Sequence, residues 1–104
     1  MPLRHTLWLV VAFDWNPDKN KELKSERGVS LEEIALLLGS GALWKVEEHY
    51  NSERYPNQKI FFLPIKEYVY LVPYVEHDET IFLKTAFPSL RATRDYLKEM
   101  EEEK

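Results

Sequence analysis

The chain has 104 residues, 44% hydrophobic and 31% charged, a balance that fits one globular domain with a modest core and excludes a disordered chain. Cysteine is absent, which excludes disulfides and thiolate metal sites and makes a reducing cytoplasm the simplest home. The formal net charge of −4 argues against nucleic-acid binding through the overall field, although Glu99 and Glu101 to Glu103 carry much of the acid and leave the rest about neutral.

Leu7-Trp8-Leu9-Val10-Val11-Ala12-Phe13 is the one long apolar run. It is too short to span a bilayer as a helix, so no membrane segment is expected. Arg4 precedes it as in a signal peptide, but Asp14 and Trp15 stand where a small-residue cleavage site would be needed, and a buried strand is the better reading. Asn16 then caps a short helix with Pro17 at its first position. Asp18 and Glu22 suit its positive end, Lys24 and Arg27 its last turn, and Gly28 its stop, with Leu23 as the clear apolar anchor. Ser30-Leu31-Glu32-Glu33 is a capping box that opens a second helix. Leu31, Ile34, Ala35, Leu37 and Leu38 give this helix a wide apolar face, and Gly39-Ser40-Gly41 ends it.

From Ala42 to Phe87 the period changes to two. Strands are expected over Ala42 to His49, Gln58 to Ile65, Tyr68 to His77 and Thr80 to Phe87. A polar loop, Asn51 to Asn57, joins the first pair, and tight turns at Lys66-Glu67 and Asp78-Glu79 make the rest a meander. Pro64 and Pro73 must sit at an edge, a strand end or a bulge. Pro88-Ser89 starts a last helix running to about Met100, with Leu90, Thr93, Leu97 and Met100 on one side. The expected fold class is α+β: an antiparallel meander of about four strands plus an N-terminal strand, with two N-terminal helices and one C-terminal helix packed mainly on one face.

Phe13-Asp14-Trp15-Asn16-Pro17 with Lys19-Asn20, then Arg27-Gly28-Val29-Ser30 with Glu33, resembles the opening of the BrnT family of small bacterial toxins. Phe82-Leu83-Lys84-Thr85 through Pro88-Ser89, then Ala92-Thr93-Arg94, is similar to that family's closing strand-to-helix segment. The resemblance implies a RelE-like fold over residues 1 to 104 and the toxin part of a toxin-antitoxin system. It further implies RNA cleavage without a cofactor, and inhibition by an antitoxin that is commonly a DNA-binding protein. Two departures stand out. The family usually carries arginine directly after the closing serine, whereas here Leu90 follows Ser89 and Arg91 comes next, a rotation of about 100° on a helix. About a dozen residues also precede Phe13, more than the family's core carries there.

Metal-free RNA cleavage needs a base for the 2′-hydroxyl, an acid for the leaving oxygen and cations around phosphorus. His49 is the candidate base, against the plainer reading of a solvent-facing histidine at a strand end. Lys84, Arg91 and Arg54 are candidate phosphate-stabilising cations, joined by Lys59 beside the polar loop. Arg91, Arg94 and Lys98 form a basic stripe that suits a phosphate track, or equally a solvated helix face. Tyr68, Tyr70 and Tyr74 share one strand face, fit for stacking bases if open and for core packing if covered. Trp15 and Asp14 read as structural, with Asp14 fixing the Asn16 cap or pairing with Arg27. His77, in a polar turn, lacks the ligand spacing of a metal site, and His5 lies near the N-terminus. The alternative function is a non-catalytic module of the same fold that grips a partner protein. A third reading is a homodimer formed through the Leu7 to Phe13 strand edge.

Overall fold

The computed structural model describes residues 12 to 103. The chain runs β1 (Ala12–Trp15), α1 (Pro17–Arg27), α2 (Leu31–Gly39), β2 (Lys45–Glu48), β3 (Gln58–Ile65), β4 (Tyr68–His77), β5 (Thr80–Leu83), β6 (Phe87–Ser89) and α3 (Leu90–Glu102). The fold is α+β, with two N-terminal helices and one C-terminal helix as expected. Most of the Leu7 to Phe13 run, with the signal-peptide and homodimer readings attached to it, and His5 lie outside the described residues; only Ala12 and Phe13 of the run are described, in β1.

Local chemistry sets both N-terminal helices. Asn16 accepts from the Asp18 and Lys19 amides at 2.8 and 3.2 Å, ahead of Pro17. Gly28, at φ 69°, takes the left-handed conformation that closes α1. Ser30 Oγ accepts from the Glu33 amide at 3.0 Å and starts α2. Asn20, 7% exposed, locks the two helices together: its Oδ1 accepts from the Leu31 amide at 2.8 Å and its amide donates to Glu32. Asp14 accepts from the Trp15 amide, and Arg27 donates to the Ala86 carbonyl, so of the two roles expected for Asp14 the pairing with Arg27 does not form and its bond goes to the residue before the Asn16 cap.

The sheet order is β1-β5-β4-β3-β2, with β6 also paired to β4. Three expectations are corrected here. First, the sheet is mixed, because β1 runs parallel to β5 while the other pairs are antiparallel. Second, the strand expected over Thr80 to Phe87 divides. β5 pairs with the Tyr74–His77 half of β4 and β6 with the Val69–Leu71 half, and Lys84 to Ala86 bridge them. Pro73 sits at the break, where it has no amide to donate and its carbonyl accepts from Lys84 N at 2.8 Å. Third, the helices occupy both faces of the sheet.

Cross-strand register assigns those faces. Phe61 lies opposite Val72, Leu63 opposite Tyr70, and Tyr74 opposite Leu83. These side chains form the core with Leu23, Val29, Leu31 and Ile34, so α1 and α2 cover this face. Tyr70 and Tyr74 are buried within it, and Tyr74 stacks on Phe61 with ring centroids 3.8 Å apart. Tyr70 and Tyr74 are therefore core and Tyr68 alone is exposed, so the three do not form an open base-stacking row.

The other face carries Ile60, Phe62, Leu71 and Val69, and α3 lands on it. Thr93 Oγ1 accepts from the Val69 amide at 2.8 Å and donates to the Ser89 carbonyl at 2.6 Å. Ala92, Thr93, Tyr96 and Met100 turn inward, while Leu90 and Leu97 are 72% and 58% exposed. The side expected from Leu90, Thr93, Leu97 and Met100 is thus split, with Thr93 and Met100 turned inward and Leu90 and Leu97 outward.

Candidate functional site

Because α3 crosses only part of its face, a cleft of about 390 Å³ remains between its first turns and the edge strand β2. Ile60, Phe62 and Leu71 floor it. Lys45, Glu47 and Tyr50 line one side, and Ser89, Arg91, Ala92 and Asp95 the other, with Glu48 at the rim. Lys45 and Glu47 share a strand face by their spacing. Their charged ends meet at 2.7 Å. The Lys45 ammonium also lies 4.5 Å from the Trp44 ring centroid and 4.9 Å from that of Phe62, a cation held over two aromatic rings. Trp44 in turn makes edge contacts with Phe62 and Tyr96, which joins the wall of the cleft to α3.

Arg91 is the one residue among the expected site that reaches this cleft. Lys84 does lie on the same sheet face, as alternation indicates, but in a separate open recess beside the start of α1, with its ammonium 5.7 Å from the Phe82 ring centroid. Its backbone docks at Pro73, whereas Ser89, which caps α3, docks at Val69. Four residues of strand separate those points by roughly 13 Å. The Lys84 side chain then turns farther off onto Phe82, which lies opposite Val75. Lys84 and Arg91 do not converge on one phosphate.

The other expected residues scatter too. Lys59 pairs with Tyr74 and so belongs to the α1/α2 face, where it lines a shallow recess with Glu48, Tyr74 and Glu76. Arg54 sits in the β2–β3 loop, its guanidinium 5.6 Å from the Tyr55 ring centroid. Arg94 projects from the exposed side of α3 near Leu90 and Leu97. His77, 3.6 Å from Asp78, stands in solvent, and among the described residues no group of three or more potential ligands is placed to hold a metal.

His49 is neither solvent-facing nor poised as a base. It is 8% exposed, its ring lies 4.3 Å from that of Tyr50 and 4.6 Å from that of Tyr55, and its Nδ1 accepts from the Asn51 amide at 3.0 Å. In the neutral ring that acceptor bond leaves the proton on Nε2, so the basic nitrogen is already engaged. The histidine pins the loop.

Lys45, Glu47 and Tyr50 were not singled out by sequence reasoning. The signal for Lys45 and Glu47 was their i, i+2 spacing on a short strand, which assigns a shared face but not which face stays open. No family model, curated protein or solved structure matches the chain. Among the described residues, no helix is long and apolar enough to cross a membrane.

Proposed function

We propose that this chain is a toxin-type endoribonuclease, similar to the BrnT family, which cleaves RNA without a metal at the cleft between α3 and β2 and is restrained by an antitoxin partner. One observation carries the reading: Arg91 from the first turn of α3 and the Lys45–Glu47 pair from β2 meet around one cleft. In this reading Glu47 takes the proton from the 2′-hydroxyl, whose oxygen attacks phosphorus. The bond to the leaving 5′-oxygen breaks, and that oxygen takes a proton from solvent to leave a 2′,3′-cyclic phosphate. Arg91 and Lys45 offset the charge that builds on the phosphoryl oxygens. Each such element contributes about 10²–10⁴-fold in rate.

The test is cleavage of a labelled structured RNA in EDTA by the wild type, Glu47→Gln, Arg91→Ala and Lys84→Ala. Cutting that survives in Lys84→Ala and falls at least about a hundredfold in the other two is the expected result. Equal activity in all four proteins overturns the site. A folded wild type that neither binds nor cuts RNA overturns the reading itself.

A second reading, a non-catalytic module that grips a partner protein, is favoured by the three carboxylates around the cleft, Glu47, Glu48 and Asp95, and by the exposed leucines of α3. A folded protein without RNA binding would select it.

A further inference from the structure

We infer that the cleft seats an unpaired nucleotide and that Tyr50 is the platform on which its base stacks, an inference that rests on the RNA reading above. Tyr50 is 82% exposed, yet its ring is not free on both sides. The His49 ring backs it at a 30° tilt, and His49 is itself held between Tyr55 and the Asn51 amide. The result is an aromatic ring backed on one face by a buried histidine, open to solvent elsewhere, and among the residues that line the cleft. This gives buried His49 a positioning role that requires no proton transfer.

The remaining walls fit the same occupant. A cleft of about 390 Å³ is at the small end of ligand sites, with room for a nucleotide but not for a helix of a partner. Its floor of Ile60, Phe62 and Leu71 is apolar, and Lys45 and Arg91 bring two cations to walls that also carry Glu47, Glu48 and Asp95. A duplex keeps its base faces inside the stack and offers only phosphates and groove edges, so it cannot fill the seat. A single strand can turn a base outward, and stacking on an aromatic side chain tolerates any base.

The experiment is fluorescence anisotropy with a fluorescein-labelled single-stranded RNA and a blunt RNA duplex of the same sequence. It is run in EDTA on the Glu47→Gln protein so that the probe is not consumed, with wild-type cleavage assayed alongside. The single strand is expected to bind at least about tenfold tighter than the duplex. Adding Tyr50→Ala should weaken single-strand binding roughly 5- to 100-fold and leave duplex binding unchanged, whereas Tyr50→Phe keeps the affinity. Equal affinity for the two probes, or a Tyr50→Ala protein that binds the single strand as before, overturns the seat while wild-type cleavage leaves the ribonuclease reading standing. Absence of both binding and cleavage overturns the two together.

Discussion

Trp44 Nε1 donates to Glu99 Oε2 at 2.6 Å, tying the chain just before β2 to the last turns of α3. These two elements are the opposing walls of the cleft, so the bond sets its width from a point outside it. Trp44→Phe keeps the ring contacts with Phe62 and Tyr96 and removes only the donor. The expected cost is about 0.5–1.5 kcal/mol in denaturant unfolding, with faster hydrogen exchange in α3.

Thr93 fastens the other end of α3. Its hydroxyl is the acceptor for the Val69 amide, and Val69 is 1% exposed. Thr93→Val preserves shape but strands that amide away from water, and the protein should lose about 1–3 kcal/mol by chemical denaturation. Thr93→Ser retains the hydroxyl and should lose distinctly less.

Asn20 and Glu32 give the helical layer a pH dependence whose sign follows from the contacts. The Asn20 hydrogen bond, and then the Lys24 ammonium 3.3 Å away, hold the Glu32 carboxyl below its ordinary range. A carboxyl with a depressed folded-state pKa adds stability above its unfolded value, and that stability is lost as pH falls through the folded value. Unfolding midpoints measured against pH should therefore drop on the acid side in the wild type and drop less steeply in Glu32→Gln. Asn20→Ala removes both the brace on Glu32 and the acceptor for the Leu31 amide. It should cost about 1–3 kcal/mol near neutrality as well.

Gly28 closes α1 at φ 69°, where any side chain is strained. Gly28→Ala should destabilise the protein by about 1 kcal/mol although space is open around the position. A melting temperature unchanged by this substitution would contradict the described end of α1.

The parts of this fold legible in the sequence are those decided by neighbours in the chain. Asn16, Pro17, Gly28 and Ser30 act through bonds within a turn of themselves, and the helices they bound stand where their pattern puts them. Alternation likewise marked β3 and β4 at their observed limits. Features decided by distant partners were not legible. The parallel pairing of β1, the break at Lys84 and the side on which α3 lands depend on how separate elements meet. Leu90 and Leu97 pointed to a buried side that the helix instead turns outward. The same distinction governs the site. Arg91 was marked by the family resemblance and by the basic stripe it forms with Arg94 and Lys98, but alternation assigned Lys84 a face without its height along β4. Nothing in the sequence around His49 signalled that its loop would close over it.

The parallel pairing of β1 with β5 also dictates an order of assembly. β1 stands near one end of the chain, β5 lies far along it, and no other described strand borders β1. On a ribosome the N-terminal strand is therefore made long before its partner exists. The β3–β4 hairpin needs only a tight turn, so it can form while β1 still waits. A chain halted before Thr80 would leave β1, with its aromatic residues Phe13 and Trp15, without a slot in the sheet. Only when β5 is complete can β1 take its place in the sheet, and β6 and α3 follow after that.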